Sequence, residues 1–321
     1  MTGHATAIIV TPEGDRETKM QQQDKSAPPV KGLFAYFREI IRFHDAGTPR
    51  FVQLLFVLML AVLYGAVLLM APHVRQLDVL YQGIVNRLVE AVDNDAALRI
   101  LEEVLTPEKR AALVSSVGAV LGISLVARVL AQGMAILYGY VWHQGRLSPE
   151  HTVRQTMHAF FFRLPRLAAV NLLFYAALLA AGIAVSVVFG ILSVLIPVFA
   201  VLLSVMVPIL FLVATGLFAF RDMSVLAGRT RVLETFKASW KLTDGARRVI
   251  VGNLVMLNVL AMLISSMAGG NADGSPVAAF VVTFLDVIML LVTQRLVVRM
   301  YEDAREAHVH RPGSVVETGN P

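Results

Sequence analysis

The sequence predicts an all-α, polytopic membrane protein with six transmembrane helices and amphipathic helices at the membrane interface. Of its 321 residues, 56% are hydrophobic and only 16% are charged, whereas soluble domains carry about a quarter charged residues. The charges also stand in blocks, and residues 167–220 contain none. Because one bilayer crossing needs about 20 apolar residues, this stretch is long enough for two crossings joined by a tight turn.

The amino-terminal residues are predicted to form a cytoplasmic tail followed by an interfacial helix. Residues 1–30 combine Gln-Gln-Gln, Pro-Pro and scattered charges, a composition typical of disorder. Residues 31–43, KGLFAYFREIIRF, then interleave apolar and basic residues at helical spacing. The apolar members are Leu33, Phe37, Ile40 and Ile41, and the basic members are Lys31, Arg38 and Arg42. Such a helix lies along the membrane surface with its apolar side in the lipid.

Six apolar runs define a transmembrane domain over residues 31–300. We place the spans near residues 51–71, 113–141, 167–189, 195–220, 249–268 and 277–299. Pro208, in the fourth span, lacks a backbone N–H and should kink its helix. Residues 301–321 are predicted to form a second cytoplasmic tail.

The first two spans are separated by a long extracytoplasmic segment, residues 72–112. Its leucines and Ile84 recur at helical spacing among charged residues, which predicts an amphipathic helix. The sequence LTPEKR then starts a new helix, with Thr106 as N-cap, Pro107 in the first helical position and Glu108 in the first turn.

The distribution of Lys and Arg predicts the orientation in the membrane. Of the 28 Lys and Arg residues, 22 fall on one side of the six spans, five fall on the other, and Arg128 lies inside a span. Cytoplasmic loops carry the excess of Lys and Arg. Both termini are therefore predicted to be cytoplasmic.

The segment FKASWKLTDGARRVIVGNLV, residues 236–255, joins a basic, aromatic helix to the fifth span. On a helical wheel of residues 229–242, the apolar side contains Val232, Leu233, Phe236 and Trp240, opposite Arg231, Glu234, Lys237 and Lys241. We expect Trp240 and Phe236 to contact lipid at the membrane boundary, and Lys241, Arg247 and Arg248 to reach lipid phosphates. The alternative is that these charges only fix the topology.

A similar order of residues recurs twice. Residues 157–173 contain aromatic residues, then basic residues around Pro165, which is predicted to break the helix, and then an apolar run with Asn171; residues 34–55 are a weaker copy. The chain is therefore predicted to contain three units, each an interfacial helix followed by a transmembrane hairpin. Internal repeats of this kind are common in membrane proteins.

The segment VLETFKASWKLTDGARRVIVGNLV resembles bacterial six-span membrane-protein families of unknown function that are related to the membrane domain of glycerophosphoryl diester phosphodiesterases. The matching residues are Ala238, Ser239, Trp240, Leu242, Gly245 and Asn253. The resemblance implies a six-span fold over roughly residues 31–300 and a bacterial plasma (inner) membrane. It implies no catalytic residues, and no soluble segment is long enough to hold a phosphodiesterase domain.

Two charges are predicted to lie deep within spans and to form an ion pair, Arg128 and Asp286. A partner of opposite sign offsets part of the cost of placing arginine at the bilayer centre, about 2.5–3.5 kcal/mol on insertion scales. Small residues beside Arg128 would allow close helix approach; they are Ser124, Ala127, Ala131 and Ala135. Alternatively, Arg128 extends to the interface or meets water in a cavity, and Asp286 is protonated.

The spans also contain amide side chains, for which we predict hydrogen bonds between helices. They are Gln132, Asn171, Asn253, Asn258 and Gln294. The alternative is that they line a path for a substrate.

No sequence motif indicates catalysis or metal binding. There is no cysteine, no Walker loop, no His-Glu-x-x-His and no cluster with metal-ligand spacing, so we expect no enzyme, no cofactor and no metal site. The predicted function is a non-enzymatic integral membrane protein that organises lipid or a partner protein. Its predicted partners are membrane lipids, with another membrane protein or a second copy as alternatives, and no nucleic acid. A small transporter or permease subunit with a polar path between helices is the alternative function.

Overall fold

The computed structural model describes residues 30–42, 49–88, 106–147, 152–195, 198–228, 231–269 and 275–309. The predicted tail at 1–30, apart from Val30, and the residues after Val309 lie outside this part, as do residues 89–105 of the predicted extracytoplasmic segment. All regular structure within the described ranges is helical.

The helices are numbered in chain order. They are α1 (Leu33–Ile41), α2 (Pro49–Leu88), α3 (Pro107–Leu147), α4 (Val153–Leu195), α5 (Val198–Leu217), α6 (Arg221–Ala227), α7 (Val232–Leu242), α8 (Arg247–Gly269) and α9 (Pro276–Val309).

Six helical segments in the described part of the chain are long and apolar enough to cross a membrane, which confirms the predicted number of spans. They lie in α2, α3, α4, α5 with α6, α8 and α9. These helices are compatible with a multi-pass integral membrane protein. α2, α3 and α4 have 40, 41 and 43 residues, so each is about 60 Å long at 1.5 Å per residue. A hydrocarbon core is about 30 Å thick, so these three helices are long enough to extend well beyond it.

The helices form three hairpins, α2/α3, α4/α5 and α8/α9. α9 packs against α2 and α3, α8 packs against α5, and α3 contacts α4, so that each hairpin touches the other two. We call the end at which α2, α4 and α8 begin the basal end, and the opposite end the distal end. α1, α6 and α7 lie at the basal end.

Small residues allow the first hairpin to close tightly. Ala127, Ala131 and Ala135, spaced one helical turn apart on α3, are at most 5% exposed and belong to the same apolar cluster as Met59 and Leu63 of α2. Small side chains let helix backbones approach closely, which is the main source of packing energy between membrane helices. Nearer the distal end, Ser116 donates to Gln76 at 2.8 Å.

The start of α3 agrees with the sequence. The N–H of Lys109 donates to Thr106 Oγ1 at 3.4 Å, and Pro107 is the first helical residue. The predicted amphipathic segment after the first span does not begin as a separate helix. Instead, α2 continues without interruption through Pro72 to Leu88.

α1 packs its buried side on the third hairpin. Leu33, Tyr36 and Ile40 are buried, whereas Phe34 and Phe37 are exposed. The Tyr36 hydroxyl donates to Asp303 at 2.6 Å. The predicted apolar face is therefore divided, because Leu33 and Ile40 contact protein while Phe37 and Ile41 remain available to lipid.

The predicted break at Pro165 is wrong. α4 is continuous through this residue, and Phe160 and Leu167, on either side of it, are each only 3% exposed. A proline removes one backbone hydrogen bond, and neighbouring helices allow such a residue to remain within a membrane helix. The predicted boundary of the last span also differs, because α9 continues to Val309 with Tyr301 and Ala304 buried.

Candidate functional site

A cavity of about 410 Å³ lies between α3, α4, α5, α6, α8 and α9. Its walls contain charged and amide side chains from helices that are otherwise strongly apolar. The polar residues that line it are Arg128, Gln132, Tyr175, Thr215, Arg221, Asp222, Asn258, Ser265, Asp286, Thr293 and Gln294.

Arg128 and Asp286 meet in this cavity. Arg128 Nη2 lies 3.7 Å from Asp286 Oδ2, and Ser265 Oγ donates to Asp286 Oδ1 at 3.4 Å. Asp286 lies well inside the sixth span. It is ten residues after the start of α9 and 13 residues before Arg299, at the end of the predicted span. These separations correspond to about 15 and 20 Å along the helix. The structure therefore brings together the two charges for which the sequence predicts an ion pair.

The cavity is open beside Arg128. The Arg128 side chain is 61% exposed although it lines the cavity. Contacts between α3 and α4 occur towards the basal end, where Arg163 donates to the Tyr140 hydroxyl at 3.1 Å. Further from that end, apolar residues of both helices are exposed; they include Leu121 and Leu125 of α3 and Leu179 and Ile183 of α4. The opening is thus bordered by side chains suited to lipid.

A second charged group lies at the basal end of the cavity. Arg221 and Asp222, at the start of α6, are only 4% and 7% exposed. Asn171 of α4 joins them, since its Nδ2 donates to Asp222 Oδ1 at 2.8 Å and its Oδ1 accepts from Arg221 Nη2 at 3.0 Å. Arg221 also donates to the carbonyl of Phe218 at 3.4 Å. Sequence reasoning missed this group because Arg221 is the first charge after the uncharged stretch and was assigned to a loop.

Aromatic rings continue from this group to the apolar side of α7. The Arg221 guanidinium lies 3.9 Å from the centroid of Phe174, and Phe174 stacks on Phe236 at 6.4 Å. Phe218 contacts both Phe236 and Trp240 at 5.8 Å. Phe236, for which the sequence predicts lipid contact, is therefore partly buried against these rings.

The other predicted interfacial residues lie at the surface. Trp240 is 42% exposed, and the Arg247 guanidinium stands 3.9 Å over its ring. Lys241 and Arg248 are exposed. The side of α7 that is most deeply buried in protein instead carries Thr235 and Ser239, both 0% exposed.

The amide side chains have different roles. Asn171 joins α4 to α6, and Asn253 Nδ2 of α8 donates to the carbonyl of Lys31 at 2.9 Å. Among the described residues, Asn258 donates to the Leu254 carbonyl of its own helix at 2.8 Å. Gln132 lines the cavity.

Gln294 of α9 lies beside Gly139 of α3. It is 5% exposed, and its Nε2 has no hydrogen-bond partner among the described residues. A Cβ placed on Gly139 would lie 2.7 Å from Gln294 Cγ. The glycine thus allows the side chain to fit between the two helices.

A network of ion pairs closes the basal end and was not predicted from the sequence. His143 Nδ1 lies 2.8 Å from Glu302 Oε1, and Arg299 pairs with Glu302 at 2.7 Å and with Glu39 of α1 at 2.9 Å. Arg146 also pairs with Glu39. These contacts join α1, α3 and α9. Single-sequence patterns could not reveal them, because the partners come from three distant segments.

The site can bind charged groups through ion pairs and hydrogen bonds. Within the described ranges, no group of three or more His, Asp or Glu residues could hold a metal ion. No protein-family model, no curated protein and no solved structure matches this chain.

Proposed function

We propose that this protein is a non-enzymatic, multi-pass membrane protein that binds and organises lipid in a bacterial plasma membrane. The observation that carries this proposal is the charged cavity, which opens between apolar helix surfaces beside Arg128. A lipid headgroup entering from the side could reach Arg128 while its acyl chains remain against exposed leucine, isoleucine and valine side chains. Ligand sites in membrane bundles are commonly built from polar groups that face the interior.

The surroundings of the opening support a lipid as the ligand. Leu125 and Val129 flank Arg128 on the exposed side of α3 and are 66% and 61% exposed. Large apolar residues around a polar site favour an amphipathic ligand over a purely polar one. The proposal therefore assigns the acyl chains to α3 and α4 and the headgroup to the cavity.

The proposed orientation places both termini in the cytoplasm. It is supported by the 22 Lys and Arg residues on one side of the spans against five on the other. In this orientation the basal end, with α1, α6, α7 and the His143 network, faces the cytoplasm. α1 and α7 then present Phe34, Phe37, Leu233 and Trp240 to the inner leaflet.

The proposed threefold repeat rests on the hairpins. α1 precedes α2/α3 and α7 precedes α8/α9, each as a short amphipathic helix at the basal end. In the second unit, the first turns of α4 occupy the corresponding place without a break. The resemblance to the bacterial six-span families remains a proposal that is supported by the segment around Trp240 and by the number of apolar helices.

A transporter or permease subunit is the second candidate, and one observation favours it. The cavity wall on α9 extends from Asp286 to Val297, about 16 Å along the helix. Arg221 and Asp222 stand at the basal end of the same cavity. A path that leads a solute from one membrane surface to the middle of the bilayer would have a polar lining of this length.

Lipid retention and solute flux together test the proposal. The full chain would be purified in mild detergent, and bound phospholipid would be measured by native mass spectrometry beside flux assays in proteoliposomes. We expect phospholipid that survives detergent exchange and no flux above that of empty vesicles. Solute flux without retained lipid would favour the transporter, and specific capture of a second copy or another membrane protein without lipid would favour a scaffold for proteins.

A further inference from the structure

The cavity has a balanced set of charges. Its ionisable acidic and basic residues are Arg128, Arg221, Asp222 and Asp286, two cations and two anions. A ligand with a net charge would leave one charge uncompensated, which is costly wherever lipid or protein replaces water around it. A ligand that carries one positive and one negative group would leave the cavity neutral.

The two pairs differ in the bonding capacity that remains for a ligand. Arg221 and Asp222 are bridged by Asn171 and buried, so they already have protein partners. In the described part of the chain, Arg128 has one polar partner, Asp286, at 3.7 Å. This distance exceeds the usual 2.7–3.2 Å of an N–H···O hydrogen bond.

The Arg128–Asp286 pair therefore retains unused donors and acceptors. A guanidinium has five N–H donors in a planar fork, and the Arg128 side chain is 61% exposed at the opening. Asp286 accepts one long bond from Ser265 and keeps further lone pairs. One residue can bind an oxyanion while the other accepts bonds from a cation.

Resting on the lipid-binding function proposed above, we infer that this pair is a headgroup site for a zwitterionic phospholipid with a primary ammonium, of the phosphatidylethanolamine class. The phosphate would accept hydrogen bonds from Arg128, the residue type that best matches phosphate geometry. The ammonium would donate to Asp286. No net charge would be added to the cavity.

A primary ammonium fits this site better than a trimethylammonium. A quaternary amine has no N–H to donate and is usually recognised by a cage of aromatic faces. The aromatic residue that lines the cavity, Tyr175, instead lies beside Arg221, whose guanidinium is 5.6 Å from its ring. Asp286 is paired with a hydroxyl and a guanidinium, which suits hydrogen-bond donors.

The same chemistry could come from a soluble zwitterion, such as glycerophosphoethanolamine. The lateral opening among exposed apolar residues favours the lipid as the source. The two sources are separable, because only the lipid remains bound after removal of small solutes by detergent exchange.

The experiment measures headgroup preference by native mass spectrometry of the full chain. The protein would be exchanged into detergent with equal amounts of phosphatidylethanolamine, phosphatidylcholine and phosphatidylglycerol that share the same acyl chains. We expect phosphatidylethanolamine adducts to exceed each of the others by about tenfold, the factor that about 1.4 kcal/mol provides: phosphatidylcholine lacks the N–H donors for Asp286, and phosphatidylglycerol lacks the cation. Glycerophosphoethanolamine at equal concentration should not displace the lipid.

Two variants and a control assign the preference to the pair. Asp286→Asn keeps the shape but leaves Arg128 unpaired, so preference should shift towards anionic phosphatidylglycerol by about tenfold. The double variant Arg128→Gln/Asp286→Asn is neutral and should bind the three lipids equally. Arg38→Gln removes an exposed cation of α1 outside the cavity and should leave the preference unchanged. Thermal melts of each variant establish that it is folded.

The outcomes separate this inference from the function on which it rests. Retained lipid with no headgroup preference, or a preference that Asp286→Asn leaves unchanged, would overturn the headgroup site and preserve lipid binding. Failure to retain any phospholipid would overturn both. Displacement by glycerophosphoethanolamine at equal concentration would identify a soluble zwitterion as the ligand and overturn the lipid source.

Discussion

At the scale of single residues, the most informative pair is Arg128 and Asp286. Both residues lie deep within their spans. The sequence therefore predicts that they meet, because charged residues within a membrane usually pair with one another. The structure places their side chains 3.7 Å apart. The Arg221–Asn171–Asp222 group was not predicted, since Arg221 adjoins a turn and sequence alone does not show that the chain folds back at that point to bury it.

The Arg128–Asp286 pair predicts non-additive stability losses. Arg128→Ala or Asp286→Ala leaves an unpaired charge, which costs about 3–5 kcal/mol in fully buried pairs. Because Arg128 is 61% exposed, we expect a smaller loss of about 1–3 kcal/mol in detergent. The double variant should lose less than the sum of the two single losses. Thermal melts of all four proteins measure this, and strict additivity would rule out the pairing.

Gly139 predicts a second effect at this scale. Gly139→Ala places a Cβ 2.7 Å from Gln294 Cγ and 3.2 Å from Val298 Cγ2, and overpacking of this kind costs about 1–3 kcal/mol. Gly133→Ala in the same helix is the matched control, because nothing lies within 4 Å of its added Cβ. The control should be neutral or more stable by up to about 1 kcal/mol, since alanine favours helix. Equal melting temperatures for the two variants would contradict close packing of α3 on α9.

At the scale of helices, α7 explains what a helical wheel can and cannot predict. The wheel separates Val232, Phe236 and Trp240 from the charged side. The wheel does not show whether lipid or protein covers an apolar residue, because lipid chains and the interior of a membrane protein are similarly apolar. The structure buries Thr235 and Ser239 against protein and leaves Leu233 and Trp240 exposed. Small residues such as these are enriched where membrane helices pack against one another.

The turn after α7 depends on one backbone conformation. Gly245 has φ 81°, the only positive φ among the described residues. This left-handed region disfavours residues with a Cβ by roughly 1–2 kcal/mol. The Thr-Asp-Gly sequence that predicts the end of the helix thus also supplies the residue that allows α8 to begin at Arg247.

Trp240 is expected to lie at the membrane boundary. In a Trp142→Phe variant it is the only tryptophan, so its fluorescence reports one site. Lipids brominated near the headgroup end of the acyl chain should quench it, because 42% of the side chain is exposed on the apolar side of an amphipathic helix. Strong quenching by aqueous iodide, with none from brominated lipid, would place α7 in water.

At the scale of the whole molecule, hydropathy predicts six spans, and the described part of the chain has six suitable helices. Apolar length alone sets this number, so it can be predicted from one sequence. The assembly of the three hairpins around a cavity could not be predicted, because it depends on contacts between distant segments, such as those of Glu39 with Arg299 and of Asn253 with Lys31.

The predicted topology can be tested with single cysteines, since the chain contains none. Cysteines introduced at Asn271 and Gly313 would be labelled in intact cells with a reagent that cannot cross the membrane. We expect labelling at Asn271 and none at Gly313, because cytoplasmic segments carry the excess of Lys and Arg. Labelling at Gly313 but not at Asn271 would show that the orientation is inverted.

In the proposed function, the charged cavity holds a phospholipid headgroup. An experimental density map of the full chain in lipid nanodiscs tests it most directly. We expect headgroup density between Arg128 and Asp286, with acyl chains leaving the cavity beside Leu125. Density for the pair closed on itself, with the opening filled by protein side chains and no lipid within reach of Arg128, would contradict the claim.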